Sequence, residues 1–202
     1  MIDGLFKQKI DIFWNLVARL LVKLKFTANL VSILGLILVV INCLLYLYHK
    51  NNLIFGLALV VAFSFDALDG AVARITDTQS LYGGYLDAVI DRYQEIFIFL
   101  VIAIVNDYWV ICFLATTGSL LVSYNKARTA IEIQINNLEW PDLAERFERI
   151  ILICAGLILD PFFSNTWLFN NGFLFNIILL LAILSHITAI QRFYRARKLL
   201  LK

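Results

Sequence analysis

Four aspartates, Asp66, Asp69, Asp87 and Asp91, stand in the otherwise apolar stretch DALDGAVARITDTQSLYGGYLDAVID, residues 66–91. Asp66 and Asp69 are three apart and Asp87 and Asp91 four apart, so on helices each pair projects from one face. Two antiparallel neighbours can aim both pairs into a common cavity, a four-carboxylate cage. An uncompensated carboxylate at a membrane centre costs about 2.5–3.5 kcal/mol on insertion scales, so four would cost on the order of 10 kcal/mol. Two divalent ions would offset that cost. Oxygen-only ligands favour a hard ion, Mg²⁺ or Mn²⁺, and the lack of a nearby His or Cys argues against zinc. Two such ions about 4 Å apart polarise a phosphoryl group and stabilise its leaving oxygen. Gly70 and Ala73 leave room for something flat to approach one helix, as Gly83 and Gly84 do on the other, and Arg74 can contact a phosphate or carboxylate.

Two other readings use the same acids. They could pair with Arg74 and Arg92 simply to hold helices together, but two arginines do not neutralise four aspartates. They could line an ion channel or proton relay. Against that, the outer half of the membrane holds comparable acids only at Asp107 and Asp160, near loops.

The elements that must position these residues are membrane helices. Of 202 residues, 61% are hydrophobic and 16% charged, with a mean hydropathy of +0.83, far from the balance of a soluble domain. No linker composition or internal repeat divides the chain, so residues 1–202 read as one domain. A net charge of +2 is too small for a nucleic-acid partner. Cys43, Cys112 and Cys154 lie in apolar runs without metal or disulfide spacing and read as packing residues.

Residues 1–26 form an amphipathic segment with Phe6, Ile10, Phe13, Trp14, Val17, Leu21 and Leu24 on its apolar face. It is expected to lie along the membrane surface rather than act as a signal peptide, because charges run through Arg19, Lys23 and Lys25. Six spans follow, at 28–48, 53–75, 80–105, 108–131, 147–168 and 171–191, each near the ~20 residues a crossing needs. They make a six-helix bundle over 28–191, followed by a basic tail at 192–202. With the N-terminus in the cytoplasm, nearly every Lys and Arg falls at a cytoplasmic end and only Lys50 at an outer loop. That orientation makes the chain a multi-pass cell-membrane protein with both termini cytoplasmic. It also sets the short turn between the second and third spans, and all four aspartates, at the cytoplasmic side. Tyr108, Trp109 and Trp167 suit aromatic belts. The fold class is therefore all-α and integral to the membrane, with six transmembrane helices and an interfacial N-terminal helix.

Asp66, Asp69, Gly70, Ala73, Arg74, Gly83, Asp87 and Asp91 reproduce the pattern DxxDGxxARx8GxxxDxxxD. In this the chain resembles the CDP-alcohol phosphotransferases over its whole length. The resemblance implies transfer from a CDP-activated donor, usually CDP-diacylglycerol, to a polar alcohol with release of CMP. It implies that Asp66, Asp69, Asp87 and Asp91 bind two divalent ions, and that Asp91 takes the proton of the attacking hydroxyl. Asp66, Asp69, Gly70, Ala73, Arg74, Gly83 and Asp87 would surround the cytidine diphosphate. Where the family often carries Pro-Asn before the first span, Ala28 precedes Asn29, whose amide could still reach the nucleotide. A homodimer among membrane lipids is also implied.

The acceptor is read from the remaining basic residues. Asp91-Arg92-Tyr93, SYNKAR, AERFER and QRFYRARK resemble the branch that makes phosphatidylinositol phosphate or its archaeal ether-lipid equivalent. Lys126, Arg146 and Arg192 then become candidates for holding the phosphate of inositol 1-phosphate. A sister reaction with glycerol 3-phosphate, free inositol or another alcohol is the alternative. The lipid-headgroup role of basic residues suits Arg195, Arg197, Lys198 and Lys202 better. His186 is expected to make a hydrogen-bonded helix contact.

Overall fold

The computed structural model describes residues 7–133, 144–163 and 172–201, with side chains from residue 14 onward. Trp167, the side chains of Phe6, Ile10 and Phe13, and residues 164–168 of the fifth expected span lie outside the described residues. The described residues form seven α-helices: α1 (Lys7–Lys23), α2 (Ala28–His49), α3 (Asn52–Thr76), α4 (Leu81–Asn106), α5 (Trp109–Glu132), α6 (Arg146–Phe163) and α7 (Phe173–Leu200). By length and composition α2, α3 and α7 can each cross a hydrocarbon core. Large apolar side chains face outward on them, among them Ile37, Ile41 and Leu44 on α2 and Ile183, Ile187 and Ile190 on α7. Such exposure suits lipid and not water.

Polar residues punctuate these apolar runs by identifiable capping. Thr27, Asn51 and Ser80 each accept a hydrogen bond from the N–H three residues on, at 3.3, 3.1 and 3.0 Å, and so start α2, α3 and α4. Lys25, Asp77 and Asp107 have φ of 63°, 51° and 60°, and the residue after each donates back to Leu21, Ala73 and Ala103. That pattern is the Schellman stop of a helix. The turn between α3 and α4 thus carries a stop at Asp77 and a start at Ser80. One helix differs from expectation: α7 runs on to Leu200, so residues 192–200 continue the helix instead of forming a separate tail. RFYRARKLL contains neither glycine nor proline to end it.

The chain divides into two compact units, residues 1–45 with 58–97, and residues 46–57 with 98–202. In the first, Ala18 of α1, Val31 of α2 and Leu68, Ala71 and Val72 of α3 form a buried cluster, with Trp14, Val17 and Leu21 packed against it. The side of α1 expected to be apolar therefore meets its own unit through Trp14, Val17 and Leu21, while Leu24 is exposed.

In the second unit a hydrogen-bonded chain ties helix ends together. Asn106 Nδ2 donates to the Tyr46 hydroxyl at 3.0 Å, which donates to Asn52 Oδ1 at 2.5 Å, while Asn52 Nδ2 donates to Asp160 Oδ2 at 2.7 Å. Asp160 Oδ1 accepts the Leu174 N–H at 2.9 Å, capping α7 from α6. Farther along, α5 and α7 approach closely at Gly118. Asn125 donates to the Ala189 carbonyl at 2.9 Å, and His186 Nε2 lies 3.1 Å from the Leu114 carbonyl, the helix contact expected of it. Cys43, Cys112 and Cys154 are buried free thiols, in keeping with packing roles.

A Cβ on Gly118 would stand 2.8 Å from Ser185 Cβ and 3.3 Å from the His186 backbone nitrogen. Gly118→Leu should therefore force the helices apart and cost about 1–3 kcal/mol, seen as a lower melting temperature of the detergent-purified protein. An unchanged melting temperature would show that the seam is looser than these distances require.

Candidate active site

The first unit holds a cavity of about 270 Å³ where the starts of α2 and α4 meet the end of α3. Asn29 and Ser32 come from α2, Asp69, Gly70 and Ala73 from α3, Thr78, Gln79 and Ser80 from the turn, and Gly83, Gly84 and Asp87 from α4. Capping explains why they face one space. The Asp77 stop and the Ser80 start reverse the chain within a few residues, returning Asp87 alongside Asp69.

Six expected nucleotide-site residues line this cavity: Asn29, Asp69, Gly70, Ala73, Gly83 and Asp87. The two glycines of α4 differ. A Cβ on Gly84 would meet nothing within 4 Å, whereas one on Gly83 would lie 3.2 Å from Ser80 Oγ and 3.3 Å from Asn29 Oδ1. Gly83 thus lets α2 and the turn close around the cavity, and Gly84 keeps its side open. Arg74 is exposed at the edge, its Nη1 3.3 Å from where a Cβ on Gly70 would stand.

The other two aspartates stand outside the lining. Asp66 Oδ1 accepts from Gln94 Nε2 at 3.4 Å, and Asp91 Oδ2 lies 3.6 Å from Arg92 Nη2. Asp66 and Asp87 both lie within electrostatic reach of Asp69. Among the described residues no three His, Cys, Asp or Glu side chains gather tightly enough to form a ready metal-ligand cluster. Like charges repel most strongly where little water screens them, and Asp66, Asp69 and Asp91 each have a polar or cationic neighbour of their own. For Asp69 that neighbour is Ser32, whose hydroxyl donates to Asp69 Oδ2 in a buried hydrogen bond.

The donor chemistry fits a hard divalent cation. Asp69 and Asp87 bring carboxylates to one cavity, Asn29 and Ser32 add neutral side-chain oxygens, and neither a thiol nor an imidazole lines it. Asp66 and Asp91, outside the lining, lie one helical turn from Asp69 on α3 and from Asp87 on α4. Ser32, Thr78, Gln79 and Gln94 were not singled out in the sequence. Only Ser32 carried a signal, lying three residues after Asn29 on the same face of α2.

The expected acceptor residues all belong to the second unit. Lys126 is half-buried on α5. Arg192 of α7 is buried and donates from Nη1 to the Val122 carbonyl of α5. Arg146, half-buried, opens α6, one turn before Arg149, which is fully buried and donates to the Ala144 carbonyl at 3.0 Å. α5 also carries Arg128, spent on Glu132 at 2.6 Å.

Comparison with known proteins agrees with the motif. Residues 25–190 match the CDP-alcohol phosphatidyltransferase family model. The chain is 35% identical over 183 residues to the archaetidylinositol phosphate synthase of Pyrococcus horikoshii, covering 90% of this chain and 89% of that one. It is similar in structure to Mycobacterium tuberculosis phosphatidylinositol phosphate synthase crystallised with CDP-DAG bound. That match has a TM-score of 0.77 at 26% identity, over 91% of this chain and 92% of the other. The same enzyme in complex with manganese and citrate matches with a TM-score of 0.77 at 26% identity, over 91% and 88% of the two chains. Model, relatives and fold agree with a transferase over a channel, and the chain belongs to the CDP-alcohol phosphatidyltransferase family.

Proposed function

We propose that this protein makes phosphatidylinositol phosphate or its ether-lipid counterpart, by transferring the lipid phosphate of CDP-diacylglycerol, or of an archaetidyl donor, to inositol 1-phosphate with release of CMP. The observation that carries this reading is the cavity shared by Asp69, Asp87, Asn29, Gly70 and Gly83. The names of the P. horikoshii and M. tuberculosis relatives support the inositol phosphate acceptor, and the first of them supports the archaetidyl donor.

Asp66, Asp69, Asp87 and Asp91 would hold two divalent ions, Mg²⁺ or Mn²⁺, whose charge when bound draws electron density from the donor's phosphates so that CMP can leave. Crystallisation of the M. tuberculosis enzyme in complex with manganese supports such a requirement. Asn29 reaches the nucleotide through its amide, Gly70, Ala73 and Gly83 let it approach the helices, and Arg74 meets phosphate at the edge. Asp91 receives the proton of the acceptor hydroxyl. Lys126, Arg146 and Arg192 hold the acceptor's phosphate, and because they belong to other helices than the aspartates, acceptor choice can vary while the donor chemistry is kept.

The same reading makes α2 to α7 six membrane crossings, with α1 along the cytoplasmic surface and both termini in the cytoplasm. It makes the working form a homodimer. The distribution of Lys and Arg supports the orientation.

Purified protein given Mg²⁺ or Mn²⁺, with CDP-diacylglycerol and its archaetidyl counterpart in turn, should release CMP fastest with inositol 1-phosphate. Chelation should abolish turnover and added Mn²⁺ restore it. Faster release with glycerol 3-phosphate or free inositol would overturn the acceptor assignment, and turnover that survives chelation would overturn the metal requirement.

Asp91→Asn should lower kcat by roughly 10²–10⁴-fold while nucleotide binding survives, as loss of a general base does. An active Asp91→Asn enzyme would remove the base assignment.

Lys126→Ala and Arg146→Ala should each raise the acceptor KM roughly 10-fold or more, the scale of losing a charged hydrogen bond, with the donor KM held. Unchanged acceptor KM in both would move the phosphate site elsewhere.

A further inference from the structure

Glu95 is a carboxylic acid with only 3% of its surface exposed, one helical turn beyond Asp91 on α4, and neither the motif nor the cavity accounts for it. A buried carboxylate is costly unless it is paired. Arg92 meets it, with Nη1 3.3 Å from Glu95 Oε2. The same guanidinium reaches the other way, with Nη2 3.6 Å from Asp91 Oδ2. One cation therefore stands between two acids on one face of a helix, hydrogen-bonded to Glu95 and only loosely ion-paired with Asp91.

The planar fork of arginine matches a carboxylate in a two-point grip. Without Glu95 to draw it away, the Arg92 guanidinium, already 3.6 Å from Asp91 Oδ2, can close on that carboxylate. A carboxylate paired that way has its charge compensated and part of its lone-pair capacity taken, so it binds a cation more weakly and is a poorer proton acceptor. We propose that Glu95 is a positioning residue that holds Arg92 off Asp91 and so keeps that carboxylate open to its cation and to the acceptor hydroxyl. This rests on the role proposed above for Asp91.

The test uses the purified full chain and Mn²⁺ alone, with binding followed by the electron paramagnetic resonance of free Mn²⁺ and folding by thermal melting. Glu95→Gln should bind Mn²⁺ roughly tenfold more weakly, the usual scale for losing a residue that orients a metal ligand, with a similar fall in kcat and no change in donor KM. Adding Arg92→Gln to Glu95→Gln removes the competing cation and should return Mn²⁺ affinity to within about threefold of the unaltered protein, a rescue that marks coupling. A merely structural ion pair would show both its loss and its rescue in the melting temperature, with Mn²⁺ affinity of the folded single variant unchanged. Unchanged Mn²⁺ affinity in Glu95→Gln, or a double variant as weak as the single one, overturns the inference. If Glu95→Gln does not fold, the double variant decides alone, and a tenfold loss in it is the overturning result. Asp91→Asn is the companion measurement. If it binds Mn²⁺ normally, the role of Asp91 falls and the inference with it, whereas an impaired Asp91→Asn beside an unimpaired Glu95→Gln overturns the inference alone.

Discussion

Charge placed in an apolar helix has to be met at short range, and around α3 and α4 it is met one residue at a time. Ser32 donates to Asp69, Gln94 to Asp66, and Arg92 stands between Asp91 and Glu95. The cost of leaving a carboxylate bare in hydrocarbon is what makes these neighbours necessary. Asp66, Asp69 and Asp91 are thereby oriented by the protein itself. A site assembled this way presents oxygen atoms in set directions, as metal and phosphate chemistry needs.

The turn between α3 and α4 depends on the same economy of polar groups. Its exposed backbone donors and carbonyls are satisfied by the Asp77 stop and the Ser80 start, so the chain reverses abruptly. Glycine at position 83 then allows Ser80 and Asn29 to close in, while Gly84 leaves one side clear. The second unit solves its polar problem differently. Tyr46, Asn52, Asn106 and Asp160 satisfy one another at the helix ends, and across the α5–α7 seam Asn125, His186 and Nη1 of Arg192 meet backbone carbonyls. Without a hydrophobic force between helices in lipid, such close packing and hydrogen bonding hold them together.

Much of this was legible in the chain. Apolar runs broken at Lys50, Asp77 and Asp107 located the ends of α2, α3 and α4 to within a residue or two, because those breaks carry their own capping chemistry. The eight-residue signature pointed to the family that the whole chain matches, since it sets residue types at fixed short spacing. The end of α7 lies beyond its apolar run because a change from apolar to basic side chains alters the solvent a helix meets and not its backbone.

By itself the sequence determined the helical membrane class of fold, the clustering of the four aspartates and the family, all of which follow from residue type at short spacing. Tertiary structure alone decided which acids share a cavity and what holds each in place. Ser32 and Asp69 are 37 positions apart, Gln94 and Asp66 28, and Asp160 caps a helix 14 residues on, so no local period links them. Even the bridge at Arg92 needed the fold, because spacing puts Glu95 one turn from Asp91 but only packing buries it and makes the cation between them matter. The four aspartates were visible as charge, whereas their directions were set by partners that only the packed helices bring near.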